Sequence, residues 1–239
     1  MPEPIEPLAW DSKFFHRRVG KLILNTATSL DELLHSASQE RYELLYIYSH
    51  IQIEDRLIGR YALLDVGGHI TFAKNLSSEC LTKARPTPEI CELQLDTLTP
   101  ELLEIAFLSG HLSRFKIDLS LPAGSFERLY ETWLTNTLEN RPRTSIYTYY
   151  SDDRVVGLIT SELHEPKCNI GLLAVSQSHQ GQGIATKLIR HVQDICTINK
   201  VASIEVKSQL SNKCAIGLYL KNSFAESDRS FLYHAHNVE

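Results

Sequence analysis

Hydrophobic and polar positions along the chain alternate between two periods, and the changes of period mark the expected elements. Residues 19–24 and 44–48 are short, β-prone apolar runs. Between them, Thr28-Ser29-Leu30-Asp31-Glu32 is a cap-like opening with acids in the first turn, so a strand–helix–strand unit is expected. Residues 53–61 read as a short helix, and 62–76 as a strand or hairpin interrupted at Gly67-Gly68. Thr99-Pro100-Glu101 opens a helix whose apolar face is Leu102, Leu103, Ala106 and Phe107. The polar stretch 110–124 reads as a mobile loop, followed by a helix from Ser125 with Leu129, Trp133 and Leu138. From Ser145 the period becomes that of strands: 145–150, a turn at Asp152-Asp153, 155–163, a turn at 166–168, and an apolar run at 170–175. Ile184, Leu188, Ile189, Val192 and Ile195 then fall at helical spacing. A strand at 203–207, a helix from Ser211-Asn212 to Asn222 and two short strands within 224–236 complete the pattern.

Composition narrows the class. The 239 residues are 43% hydrophobic and 22% charged, ordinary for a globular protein, and the formal charge of -5 argues against nucleic-acid binding through a general basic surface. Five cysteines (Cys80, Cys91, Cys168, Cys196, Cys214) lack Cys-x-x-Cys spacing, which suggests reduced thiols rather than a disulfide framework or a zinc site. The opening MPEPIEPLAWDSKFF has acids and prolines where a secretory leader needs a basic start and an apolar run, and no segment reaches membrane-spanning length. A cytoplasmic protein without membrane or nucleic-acid partners is the expectation. Arg85-Pro86-Thr87-Pro88 marks a boundary, giving a small α/β unit over 1–85 and a second domain over 90–239. Trp10, Phe14 and Phe15 read as an aromatic cluster packed on the body of the protein.

The chemistry concentrates in Gln180-Gly181-Gln182-Gly183-Ile184-Ala185, between the apolar run and the amphipathic helix. Strand, glycine loop and helix start present bare N–H groups and the positive end of a helix dipole to a phosphate. An ordinary tight turn is the other reading of such a loop. A P-loop would need Lys-Ser or Lys-Thr after the last glycine, and a dinucleotide fingerprint a third glycine; neither is present. Asn212 and Tyr219 lie seven residues apart on the last helix, hence on one face. Taken alone, Asn212 fits a helix cap and Tyr219 a core aromatic. In the 110–124 segment, Arg114 has the chemistry to pair with a phosphate and Phe115 to stack on a sugar or base, while both also fit a solvated loop.

Gln-x-x-Gly-x-Ala at 180–185 resembles the coenzyme signature of the GCN5-related N-acetyltransferase (GNAT) family. The resemblance implies an α/β (α+β) acyl-CoA N-acyltransferase fold: a mixed, mostly antiparallel sheet flanked by helices, preceded here by the smaller N-terminal unit. It implies acetyl-CoA as co-substrate, no metal, and a coenzyme site made of Gln180, Gly181, Gln182, Gly183, Ile184, Ala185, Thr186 and Asn212. A bulged central strand would turn a backbone N–H within Leu173, Ala174 and Val175 toward the thioester carbonyl. Tyr219 would protonate the departing thiolate, a step suited to a hydroxyl of pKa near 10. The residues leave the general base open among Glu162, His164, Glu165 and a water chain. Ile5-Glu6-Pro7-Leu8-Ala9-Trp10 with Phe14-Phe15, Ser113-Arg114-Phe115 before Phe126-x-x-Leu-Tyr-x-x-Trp133, and Ile170-Gly171-Leu172-Leu173-Ala174 resemble the branch of that family acting on dTDP-4-amino-4,6-dideoxygalactose. That likeness implies a nucleotide-sugar acceptor held in part by Arg114 and Phe115, a role in bacterial surface-polysaccharide synthesis, and a homodimer. An acetyltransferase for a peptide, lysine or polyamine, and a catalytically silent acetyl-CoA-binding protein, are the alternatives.

Overall fold

A computed structural model describes residues 5–24, 29–54, 57–76, 87–94 and 98–238. The elements run β1 (Glu6–Pro7), α1 (Ala9–Phe15), β2 (Val19–Leu24), α2 (Leu30–Gln39), β3 (Leu44–Ser49), β4 (Leu57–Ile58), β5 (Tyr61–Asn75) and β6 (Ile90–Glu92). There follow α3 (Pro100–Ser109), α4 (Arg114–Ile117), α5 (Ser125–Glu139), β7 (Thr144–Ser151), β8 (Arg154–His164), β9 (Lys167–Val175), α6 (Ile184–Ile198), β10 (Ser203–Gln209), α7 (Lys213–Lys221) and β11 (Ala225–Asn237). One sheet contains all eleven strands in the order β1-β2-β3-β11-β5-β10-β9-β8-β7-β6, with β4 on β5. The β2–β3 and β9–β10 pairs are parallel and the remaining pairs antiparallel, so the expected mixed, mostly antiparallel sheet is what forms.

The expected division at residues 85–90 has no counterpart in the sheet's hydrogen bonding. Strand β5, from the first 85 residues, lies between β10 and β11, and β11 pairs β3 on its other edge. Arg85 and Pro86 themselves lie outside the described residues, as do Thr28 and Cys80.

Three expectations about individual elements need correction. Residues 53–61 are not a helix: Leu57 and Ile58 pair with Tyr61 and Ala62 around Gly59, whose φ of 57° turns the chain into a hairpin. The interruption at Gly67-Gly68 is a bulge within one fifteen-residue strand. Three residues, Asp65 to Gly68, advance there against two, Phe231 to Tyr233, with Gly67 at φ 95°. The chain end is likewise one long strand, β11, with two register shifts rather than two strands.

Bulges decide which face each side chain serves. On β5, Tyr61 and Leu63 pack toward α2, whereas beyond the bulge Ile70 and Phe72 pack toward α6 and α7. An inserted residue restores the same face at the opposite parity, which an alternation count cannot follow. One sheet face is covered by α1, α3, α4 and α5 over Tyr46, Ile146, Leu158, Leu172 and Leu232. The other is covered by α6 and α7 over Phe72, Ile159, Ile170 and Val206, and by α2 over Leu45, Ile47 and Tyr233. Phe15 is buried in the first of these layers, while Trp10 is 47% exposed and stacks on Phe14 at 4.9 Å.

Candidate active site

The glycine loop lies where strand β9 hands over to α6. Gly181 and Gly183 adopt φ 77° and 79°, a region costly for side chains with a Cβ. Gly183 occupies the N-cap of α6 and no side chain caps that end. The first turn has no acid, so the positive helix end is uncompensated. Gln180 donates its side-chain amide to the Val175 carbonyl at 3.1 Å, tying the loop to the end of β9. Ile184 is buried against the core, and Ala185 and Thr186 are half-buried. This geometry suits an anion at the 181–186 amides.

Beside the loop the sheet opens. β9 and β10 keep parallel register only from Lys167–Ile170 to Ser203–Val206, and then part. The cause is local: between Ile159↔Leu173 and Ser161↔Ile170, β9 spends one residue more than β8. The bulge centres on Gly171 and Leu172, where Thr160 Oγ1 accepts the Leu172 N–H at 2.8 Å. Gly171 is required by its neighbours, since a Cβ there would meet Thr160 Oγ1 at 2.7 Å and Trp133 Cζ2 at 3.2 Å.

A cavity of about 590 Å³ passes through this opening. Leu173 lines it with Ile170, Gly171 and Leu172, whereas Ala174 and Val175 are buried outside it, so of the three expected oxyanion positions only Leu173 reaches it. Asn212 and Tyr219 both line it. Asn212 also caps α7 through the Ala215 N–H at 3.0 Å, so cap and cavity wall are the same residue. Tyr219 is 4% exposed, packed by the rings of Phe72 and Phe224 at 5.6 and 5.8 Å, and no described residue hydrogen-bonds its hydroxyl. Burial pushes that phenol well above its ordinary pKa of 10, so at neutral pH it holds its proton. The residues of the glycine loop lie outside this cavity.

The opposite wall comes from the stretch expected to be a mobile loop. Ser113 caps a short helix by accepting the Phe115 N–H at 3.3 Å, and Asp118 at its end is buried. Asp118 Oδ2 lies 2.5 Å from His234 Nδ1 and 2.7 Å from His236 Nε2, and Oδ1 accepts the Ser120 N–H. Three donor atoms within 4.8 Å invite a metal reading. The O···N separations are those of shared protons, however; two ligands on a common tetrahedral zinc would sit about 3.3 Å apart. Burial lowers the His234 pKa to about 4, and the two imidazoles hold the Asp118 carboxyl well below the usual carboxylate range. Sequence reasoning missed this cluster because its members are 116 and 118 residues apart.

The cluster fixes Arg114 and Phe115 on the cavity wall. His234 stacks on Tyr46 at 4.8 Å, and the Arg114 guanidinium lies 3.9 Å from the Tyr46 ring centre and 4.5 Å from that of Phe115. Trp133, His69 and Lys207 also line the cavity, and none of them was singled out as a site residue from the sequence. Of the three candidate bases only Glu162 lines it, where it accepts His164 Nε2 at 2.7 Å and sits 3.5 Å from Arg143 Nε. A neighbouring cavity of about 500 Å³ shares Phe115, Leu129, Trp133 and Glu162 and adds Trp10, Asp11 and Arg143.

Among the described residues Cys91, Cys168, Cys196 and Cys214 are free thiols, and no helix is long and apolar enough to cross a membrane.

The chain is similar to known proteins. Residues 112–224 match the model of the Acetyltransferase (GNAT) family. The chain is 24% identical over 241 residues to the spore coat polysaccharide biosynthesis protein SpsD of Bacillus subtilis, covering 96% of this chain and 81% of SpsD. Its fold is similar to that of a conserved protein of unknown function from Staphylococcus epidermidis, with a TM-score of 0.65 at 9% identity over 99% of this chain and 93% of the other. It is also similar to a GCN5-related N-acetyltransferase from Sphaerobacter thermophilus, with a TM-score of 0.54 at 14% identity over 96% and 75%. With the bulged central strand, the glycine loop and the matched segment in agreement, residues 112–224 carry a GNAT acetyltransferase domain, and the activity is that of an acyl-CoA-dependent acetyltransferase.

Proposed function

We propose that the protein transfers acetyl from acetyl-CoA to the 4-amino group of a dTDP-4-amino-4,6-dideoxyhexose, the galactose epimer favoured, in the synthesis of a bacterial surface polysaccharide. The observation that carries this is the cavity through the parted strands, lined by Tyr219 and Asn212 from α7 and its N-cap and by Trp133, Phe115 and Arg114 from the helices on the other face of the sheet. The name of SpsD, a polysaccharide biosynthesis protein, supports the same pathway class.

In this reading the pyrophosphate of the coenzyme rests on the amides of residues 181–186, and its pantetheine arm enters between β9 and β10. The acceptor nitrogen lone pair attacks the thioester carbon, and the carbonyl π pair moves to oxygen, facing the backbone N–H near Leu173. The carbon–sulfur bond then breaks, and the thiolate takes the Tyr219 proton. The surplus ammonium proton passes to Glu162, directly or through water, with Arg143 and His164 holding that carboxylate in place. Tyr219 is reprotonated from solvent. An amine flanked by electronegative ring substituents is less basic than lysine, so a modest base suffices. The reading includes a homodimer, which sedimentation velocity tests.

Thioester consumption is the direct assay, with dTDP-4-amino-4,6-dideoxyhexose epimers set beside spermidine and a lysine peptide. Turnover with an amino sugar alone is the expected result. Turnover only with the polyamine or peptide overturns the acceptor, and coenzyme binding without turnover on any amine overturns catalysis itself.

A further inference from the structure

Charge in the reaction cavity is unevenly matched. Its two carboxylates already have partners: Glu162 is engaged by His164 and Arg143, and Glu205 by Lys167. Two cations on the same wall have none. Among the described residues no carboxylate lies within 4.0 Å of the Arg114 guanidinium or the Lys207 ammonium. Asp11, in the neighbouring cavity, accepts the Tyr46 hydroxyl instead, at 3.1 Å.

The unmatched groups converge. Lys207 pairs across the ladder with Thr71, and Gln209 with His69. Cross-strand partners and alternate residues share a face, so all four sit on one side of the sheet, and all line the cavity. Arg114 comes down onto the same place from α4, half-buried between two aromatic rings, and donates to the Tyr48 hydroxyl at 3.3 Å. The Tyr48 ring in turn lies 6.4 Å from that of His69. Burial, with Arg114 and Lys207 adding to it, pushes the His69 pKa down to about 4. Its imidazole is therefore neutral at pH 7, with one N–H to donate. A half-buried guanidinium beside an ammonium and a neutral imidazole, with no acid among them, is complementary to a multiply charged anion.

We propose that Arg114, Lys207, His69 and the Tyr48 hydroxyl form the site for the phosphate groups of the acceptor. This rests on the nucleotide-sugar reading above and deepens it by fixing the acceptor's direction. The diphosphate points toward β5 and β10, away from Arg143, whose charge Glu162 already offsets. Arg114 binds as a fork and Lys207 as a point charge. The amino group at the other end of the sugar is thereby turned toward the gap between β9 and β10.

The test uses full-length protein saturated with coenzyme A, so that the glycine loop is occupied and only the acceptor side is free. Calorimetric titration with dTDP, which lacks any amine, should show binding that weakens about tenfold in Arg114→Gln and in Lys207→Gln and stays within twofold in Arg143→Gln. Inorganic pyrophosphate should compete with dTDP, since the phosphates are what the site reads. The His69 ring-proton titration, assigned by its absence in His69→Gln, should move upward when dTDP binds. No dTDP binding, unchanged affinity in both the Arg114 and Lys207 variants, or loss in Arg143→Gln alone overturns the proposal. Lys207 is exposed, so Lys207→Gln remains informative should Arg114→Gln fold poorly. The two readings fail separately. Site-dependent dTDP binding without amino-sugar turnover sinks the acceptor assignment only. Amino-sugar turnover whose acceptor KM ignores Arg114 and Lys207 sinks the phosphate site only.

Discussion

Substituting Tyr219→Phe isolates one proton. The ring keeps its contacts with Phe72 and Phe224, and the lost hydroxyl leaves no protein group unpaired, since none of the described residues bonds it. Stability should therefore move by less than about 0.5 kcal/mol. Turnover should not be spared. A positioned general acid contributes roughly 10²–10⁴-fold, or about 3–5 kcal/mol at 1.36 kcal/mol per tenfold. Coenzyme affinity should hold, because the expected contacts of acetyl-CoA lie on the loop and on Asn212. The raised pKa sets the pH behaviour: the phenol keeps its proton through the ordinary tyrosine range, so wild-type turnover should not fall on the alkaline side until well above pH 10 on account of this group. Thioester loss followed by absorbance is the suitable assay, since the exposed thiols of Cys91 and Cys214 would react with a thiol reagent. Unchanged kcat in Tyr219→Phe would refute the acid role, and a raised KM for acetyl-CoA at constant kcat would recast the tyrosine as a binding residue.

Three further outcomes follow from particular contacts. Gly171→Ala places a Cβ 2.7 Å from Thr160 Oγ1 and 3.2 Å from Trp133; it should cost about 1–3 kcal/mol in chemical denaturation and raise the acceptor KM by displacing the indole. Gly183→Val forces a β-branched residue into φ 79° in front of the helix amides, and should raise the acetyl-CoA KM at least tenfold in steady-state kinetics. His234 is fully buried, with its pKa lowered to about 4 from 6.5, so below pH 6.5 the unfolded chain binds a proton that the native state refuses. Its contribution, about 3 kcal/mol at 1.36 kcal/mol per tenfold, is present above pH 6.5 and lost as pH falls toward 4. Melting temperature against pH should show that slope, and His234→Phe should flatten it while lowering stability at pH 7.

Local signals placed much of the fold, and distant partners placed the rest. Thr99 caps α3 and the Asp152-Asp153 pair turns a hairpin, because each uses only its own backbone neighbours. The loop at 180–185 and the Asn212–Tyr219 spacing were readable for the same reason. The 110–124 segment was misread because its order depends on His234 and His236. The change of face along β5 and β9 left no trace in the sequence, because a bulge reverses parity without changing composition. His69 and Lys207 had no local signal at all, since only the ladder between β5 and β10 brings them to Arg114.

Among the described residues the sheet contains two parallel crossovers, β2–α2–β3 and β9–α6–β10, and the second alone opens into the cavity. In the first, six consecutive pairs from Val19↔Leu44 to Leu24↔Ser49 hold the strands together for their whole length. Its helix begins with Asp31 and Glu32, whose charge already meets the dipole and would repel a phosphate. In the second, pairing stops after four residues, and a bulge held by Thr160 turns β9 away. Its helix begins on two glycines with positive φ and no acid in its first turn. The same topology thus yields a sealed layer or an active site according to two local features, an extra residue in one strand and the charge at one helix start. Closing the second crossover by deleting Gly171 should restore β8–β9 register and abolish turnover while the sheet remains paired. Retained activity in such a folded deletion, with circular dichroism unchanged, would contradict the view that the parted strands are what admits the thioester.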